Sequence, residues 1–369
     1  MWAAVAAVAA LIAGAYALLQ NTLFKRARCA SNADMTGKTA IITGPVGTRA
    51  IAFKHHRGET LLLITTIVSH MWYNDFSFEL MLHTCCCLLC LRPGGNTGIG
   101  KATALELARR GARVILACRN KQRAEAAVHD IRRDSGSSAV VFMQLDLASL
   151  QSVRSFAETF LKTEPRLDLL INNAGLVADG RTEDGFGIEF GVNHLGHFLL
   201  TCLLLPRLKE GGASRVVTLS SLAHIWGRID FDNLNSKRDL GTGKYSWQFF
   251  SAYCNSKLCN VLFTHELAKR LQGTNVTCYC VHPGVVRTEL SRNCSLWQKV
   301  FIKPISKLFF LDAEEGAQTT LHCALQESIE PLSGRYFSCC AVQEVGAKAR
   351  DDAVAKKLWE VSERLTGLA

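Results

Sequence analysis

The chain has 369 residues, 48% of them hydrophobic and 20% charged, with a formal net charge of +10. That composition excludes a disordered chain and supplies apolar side chains enough for a large core. Its Lys and Arg residues are scattered, without zinc-finger spacing or an RNA-binding signature, so no nucleic-acid partner is expected.

The N-terminus, MWAAVAAVAALIAGAYALLQNTLF, has no charged side chain. Its apolar run from Trp2 to Leu19 would span roughly 27 Å as a helix, close to the thickness of a bilayer core. Lys25, Arg26 and Arg28 follow at once, which assigns the rest of the chain to the cytosolic side. Residues 1–28 therefore read as a transmembrane anchor with a basic flank. The alternative is a cleaved signal peptide and a secreted chain, since AGAYA offers small residues, although a basic n-region is missing. The 15 cysteines are irregularly spaced and odd in number, against a disulfide framework. In the cytosol they should be reduced, and Cys118, Cys202, Cys254, Cys259, Cys278 and Cys280 fall in predicted strands or helices as small hydrophobes.

From Lys38 onward, apolar β-branched runs alternate with helices. KTAIITG is a strand, IGKATALELARRG a helix ended by Gly111, ARVILACR a strand, and Asn120 to Arg133 a charged helix. AVVFMQLDL, a helix over Leu150 to Lys162, LDLLINNAG and a long helix through FGVNHLGHFLLTCLLLPRL continue the pattern. SRVVTLSS, AYCNSKLCNVLFTHELAKRLQ and NVTCYCVHPG add strand, helix and strand, and GRYFSCC with a charged helix around AVAKKLWEVSERL closes the chain. Such alternation predicts an α/β fold, a doubly wound parallel sheet covered on both faces, in one domain behind the anchor. The domain is expected over 36–340, with 341–369 as a C-terminal tail carrying the charged helix.

Four stretches occur in a telling order: TG…GNTGIG after the first strand, NNAG after the fourth, SS after the fifth, and YCNSK in the next helix, with HPG after the sixth strand. Taken with NHLGHFLL, SSLAH and YCNSKLCNVLF, the set resembles the short-chain dehydrogenase/reductase superfamily, most closely its membrane-anchored retinol dehydrogenase branch. The resemblance implies a Rossmann-type fold, a nicotinamide dinucleotide cofactor and interconversion of a lipophilic alcohol with its carbonyl. It also implies an endoplasmic reticulum membrane with the catalytic domain in the cytosol, and is compatible with a homodimer.

Elementary chemistry agrees at several positions. Gly44, Gly98 and Gly100 leave room for close backbone approach to a pyrophosphate at a helix N-terminus, with Asn96 and Thr97 in the same loop and Ile99 packing the helix on the sheet. NAD enzymes place an acid at the end of the second strand, but here ACRNK puts Arg119 there, suited to a 2′-phosphate. NADP(H) is therefore expected, with Lys101 as a helper. Tyr253 and Lys257 are spaced i, i+4 on one helix face, where an ammonium lowers the pKa of a phenol. The resemblance makes Tyr253 the proton donor and acceptor, Ser221 (with Ser220 as its rival) the residue orienting the substrate oxygen, and Asn193 the holder of a water beside Lys257. It also implies adenine contacts from Asp146 and Leu147, a cofactor floor of Asn173, Ala174 and Gly175, and a nicotinamide wrap by Pro283, Gly284, Val285 and Thr288. The apolar, basic-studded stretch from Ser291 to Gly316 reads as a substrate lid, a membrane-surface segment or a buried connecting helix.

Residues 45–94 break the phosphate loop between IITG and GNTGIG. His83, Cys85, Cys87 and Cys90 are too crowded for a structural zinc, so no metal is expected, and neither LLLITTIV nor ELMLHTCCCLLCL is long enough to span a bilayer. A functional loop competes with translated non-coding sequence; the CCCLLCLRP run and the clean resumption of the motif favour the latter. Closing so long a loop costs only about 2 kcal/mol, so the fold should survive. Two readings stay open: an NADP(H)-dependent oxidoreductase, or a catalytically impaired membrane protein of the same fold whose split loop does not bind cofactor.

Overall fold

Near-continuous apolar runs need neighbours on both faces, and the chain supplies them with a central sheet between two helical layers. The computed structural model describes residues 27–44, 98–178, 180–232, 234, 246–284, 286 and 311–369. Residues 1–26 of the expected anchor and flank, the segment 45–94 and residues 291–310 of the proposed lid lie outside the described residues. The strands are β1 (Thr39–Thr43), β2 (Arg113–Cys118), β3 (Val140–Gln144), β4 (Leu169–Asn172), β5 (Ser214–Leu219), β6 (Val276–His282), β7 (Tyr336–Ser338) and β8 (Ala341–Gln343). They pair in the order β3-β2-β1-β4-β5-β6-β7-β8, parallel throughout except for the β7–β8 hairpin. The expected doubly wound sheet is present.

The helices are α1 (Ile99–Arg109), α2 (Lys121–Ser135), α3 (Leu150–Thr163), α4 (Ile188–Glu210), α5 (Ser246–Arg270), α6 (Ala313–Leu325) and α7 (Asp352–Thr366). Period-two alternation in β1 sorts the layers. Ala40 and Ile42 join Leu107 of α1, Ile131 of α2 and Leu321 of α6 on one face. Ile41 joins Phe160 of α3, Phe198 of α4 and Phe263 of α5 on the other. Full burial of each such side chain contributes about 1.5–3 kcal/mol. Asn120, Ser149, Asp312 and Asp351 cap α2, α3, α6 and α7 through their side chains, as short polar residues do at helix starts.

By length and composition α4 could cross a membrane, but 72% of its apolar window is buried inside the domain, so it is a core helix. Residues 341–369, expected as a tail, belong to the same body. β8 pairs with β7, and Trp359 of α7 lies edge-on to Phe198 at 4.9 Å and stacks with Phe263 at 5.8 Å. The six cysteines expected inside elements are there, all buried except half-buried Cys202. Burial pushes the thiols of Cys278 and Cys280 up to about 12, which keeps them protonated.

Candidate active site

α1, which follows β1, packs on one face of the sheet, and α4, which follows β4, on the other. Between β1 and β4 the winding reverses, and in open α/β sheets the ligand crevice lies at the carboxyl ends of the strands beside such a switch point. Thr43 ends β1 fully buried, and its hydroxyl oxygen accepts the N–H groups of Asn173 at 2.9 Å and Ala174 at 3.1 Å. The same hydroxyl lies 2.9 Å from His197 Nε2. His197 Nδ1 sits 3.1 Å from the Asn193 carbonyl, which only accepts, so Nδ1 carries the proton and Thr43 donates to Nε2.

The two halves of the split loop meet at Asn173. Its Nδ2 donates to the Thr43 carbonyl at 2.9 Å, next to Gly44, whose N–H bonds Ala117 O at 3.1 Å. A Cβ on Gly100 would come 2.7 Å from that same Nδ2, so the first turn of α1 abuts Asn173 only because residue 100 has no side chain. The ends of β1 and α1 thus share one neighbour although residues 45–97 separate them in sequence. Gly98, the N-cap of α1, has no side chain to satisfy the first-turn N–H groups, and that turn carries no acid. A helix start of this kind suits an anion between β1 and β4, so these residues fit a dinucleotide pyrophosphate. Asn96 and Thr97 lie outside the described residues.

A second group converges beside it. Residues Gly191–Leu195 form a π-helical turn in α4, an irregularity common at functional sites, and place Asn193 in the interior. Asn193 Oδ1 accepts the Leu176 N–H at 2.9 Å, while Nδ2 donates to Leu176 O and Ser256 Oγ at 3.0 Å each. Ser256 in turn donates to the Tyr253 carbonyl at 2.7 Å. Lys257 Nζ donates to Leu219 O at 3.2 Å and lies 5.5 Å from the centre of the Tyr253 ring. A Cβ on Gly175 would stand 3.1 Å from Nζ and 3.8 Å from Asn193 Oδ1, so Gly175 lets this lysine approach the floor of the crevice. Burial pulls the Lys257 ammonium down to about 8.

The two serines after β5 divide their work. Ser220 is buried, and its hydroxyl donates to the Lys257 carbonyl at 2.8 Å, tying the strand to α5. Ser221 is partly exposed, and its Oγ accepts the Ala223 N–H at 3.2 Å as the cap of a 3-10 turn over Leu222–Trp226. With the oxygen so engaged, its proton is left to donate outward. Tyr253 packs beside the same turn.

The edge expected to face adenine is more open. Arg119 follows β2 with half its side chain exposed, its Nε 3.8 Å from Asp146 Oδ2. Lys101, expected as its helper, is paired with Asp130 of α2 at 2.6 Å. Leu147 and Ala174 are buried along the crevice, and Pro283 and Gly284 follow β6. Val285 and Thr288 lie outside the described residues. Sequence reasoning missed Thr43, His197 and Ser256. The signal for His197 was its i+4 spacing from Asn193, which puts both on one helix face.

Comparison with known proteins adds to this geometry. A family model described as short chain dehydrogenase matches residues 91–231 and 241–299. It begins beyond β1, which the structure nevertheless sets inside the sheet, between β2 and β4. The chain is 47% identical over 360 residues to Bos taurus dehydrogenase/reductase SDR family member 13, covering 97% of this chain and 81% of that one. It is 53% identical over 281 residues to Homo sapiens retinol dehydrogenase 12, covering 74% and 85% respectively. A crystal structure of an uncharacterized protein from Mycobacterium paratuberculosis is 38% identical, with a TM-score of 0.57 over 74% of this chain and 91% of that one. L-sorbose reductase from Gluconobacter frateurii, solved with NADPH and L-sorbose, shares the fold at 17% identity and a TM-score of 0.54, covering 82% and 95%.

Proposed function

The chain belongs to the short chain dehydrogenase family of oxidoreductases, and on that premise we propose that it interconverts a lipophilic alcohol and its carbonyl using NADP(H). One observation carries the reading: Lys257, Asn193 and Gly175 meet beside Tyr253 at the carboxyl end of the sheet, next to the outward-facing Ser221. A bound nicotinamide dinucleotide supplies the hydride to the substrate carbon on reduction and accepts it on oxidation. Tyr253 gives a proton to the substrate oxygen in reduction and takes one from the hydroxyl in oxidation. A phenol titrates near ~10 in water, so this transfer needs a cation nearby, and the Lys257 ammonium is that cation. Ser221 donates to the same oxygen and orients it. Asn193 holds a water that links Lys257 to solvent.

The absence of an acid after β2, together with Arg119 there, supports NADP(H) over NAD(H), because a guanidinium pairs with a 2′-phosphate bidentately. Retinol or a related lipid aldehyde is the proposed substrate, supported by identity of about half to retinol dehydrogenases, and residues 1–28 would hold the enzyme at the membrane that stores it. The test is steady-state NADPH oxidation by the full chain with all-trans-retinal and medium-chain aldehydes, beside Tyr253→Phe. Turnover by the parent should fall by about 10²–10⁴ in the variant. A variant that keeps full turnover would overturn the assignment.

A further inference from the structure

Ser221 lies beyond the regular end of β5, in extended backbone. Ser220 still bonds the sheet, its N–H donating to Val281 O at 2.8 Å. The next peptide unit, between Ser221 and Leu222, is held differently: two imidazoles grip it from opposite ends. His224 Nδ1 lies 2.8 Å from the Ser221 carbonyl oxygen, which only accepts, so this nitrogen carries the proton and donates. On the other side of the same peptide, the Leu222 N–H donates to His282 Nδ1 at 3.3 Å. That nitrogen must be the lone-pair one, so the His282 proton sits on Nε2.

We propose that His224 and His282 form a clamp across the Ser221–Leu222 peptide and act as positioning residues that aim the Ser221 hydroxyl at the substrate oxygen. The inference rests on the catalytic reading of Ser221 given above. Both rings are buried, and His282 is held by packing alone on its far side, where Nε2 has no hydrogen-bond partner among the described residues. His224 is buried and its ring lies over Tyr336, centroids 4.8 Å apart. His282 is the last residue of β6 and is buried too. Burial holds both below the usual imidazole range, His282 at about 4, and a charge on either would oppose one on the other. Each ring therefore stays neutral at physiological pH, in the tautomer its partner requires: a donor at His224 Nδ1 and an acceptor at His282 Nδ1. Beyond the strand end the ladder stops, and among the described residues the only backbone bond to this peptide is the His224 N–H donating to the Ser221 carbonyl at 3.1 Å. The pair adds one side-chain donor and one side-chain acceptor to that bond, and rotation of the plane would swing the Ser221 carbonyl and shift Leu222 Cα, which carries the next peptide with the Ala223 N–H that bonds Oγ.

Four variants of the full chain separate the clamp from simple packing. His282→Leu and His224→Phe remove the polar atom while filling the space. His282→Asn and His224→Asn return an acceptor or donor at the δ position. Amide exchange followed by mass spectrometry over residues 219–226 should show faster exchange at Leu222 in His282→Leu and near-parental exchange in His282→Asn. In turnover, kcat should fall by about 10²-fold in the apolar variants with KM little changed, and recover in the Asn variants. Placing His282→Leu on a Ser221→Ala background should cause no further fall, because a positioning residue acts only through the group it positions. Unchanged exchange at Leu222, or a full additional loss of kcat on the Ser221→Ala background, would overturn the clamp. If Ser221→Ala alone keeps parental turnover, the catalytic reading of Ser221 fails instead, and the exchange measurement still decides whether the peptide is held.

Discussion

The two edges of the crevice are built by opposite means. At the edge of the proposed catalytic residues Thr43, Asn193, His197, Ser220 and Lys257 are all buried and held by hydrogen bonds of 2.8–3.2 Å. At the edge expected to face adenine Arg119 and Asp146 face each other loosely at 3.8 Å, and Lys101 and Asp130 form a partly exposed pair. A buried polar network is costly to rearrange because every group that loses its partner is left unsatisfied in a low dielectric. Exposed ion pairs contribute little and exchange partners readily. The buried edge is therefore a fixed frame for the proposed chemistry, while the edge proposed to select the nucleotide is adjustable by single substitutions.

Acid should break the fixed edge first and with the largest effect. Burial holds His194, which lies in α4 one residue after Asn193 with Nε2 2.9 Å from Ser362 Oγ, at about 3, and His197 and His282 at about 4, against 6.5 for a free imidazole. Between those values the unfolded chain binds protons that the folded chain refuses. Stability is thus complete above about pH 6.5 and lost as pH falls toward 4, at about 1.4 kcal/mol per pH unit for each ring. Thermal melts at pH 7.5 and 5.5 should differ by on the order of 10 °C. A flat Tm over that range would mean the rings are not excluded from protonation.

At the adjustable edge Arg119→Ser should leave Tm unchanged but weaken NADPH relative to NADH by about 10- to 100-fold, the worth of a charged hydrogen-bonded pair. Equal loss for both dinucleotides would place the guanidinium away from the 2′-phosphate. Smallest of all, Lys101→Ala should cost under about 1 kcal/mol of stability, since its partner Asp130 is a third exposed. A denaturation midpoint shifted by several kcal/mol would show that the pair braces α1 against α2 more than its exposure suggests.

Most of this frame was legible in the sequence, for physical reasons that differ by element. Continuous apolar runs such as AIIT and VILAC leave a parallel strand little choice, and the motif order assigned Tyr253, Lys257 and Asn193 to one site. β8 was missed because three residues carry no usable period, and α6 because it follows directly on the apolar stretch read as a lid. The choice between Ser220 and Ser221 needed hydrogen bonds, since two adjacent serines are alike until one is seen bonded to Lys257 O. His224 and His282 were quoted within motifs but had no assigned work, because they act on a peptide unit that sequence does not display.

The split loop was the hardest to judge, since IITG and GNTGIG are far apart along the chain. Asn173 answers the geometric part by touching both the end of β1 and the start of α1. Whether that convergence yields a working cofactor site is tested most directly by titrating NADPH into the full chain and following its fluorescence, beside a form lacking residues 45–94. Saturable binding by the full chain, of similar affinity in both forms, is the predicted result. No binding by the full chain, with binding restored by the deletion, would contradict it and establish an impaired protein of the same fold.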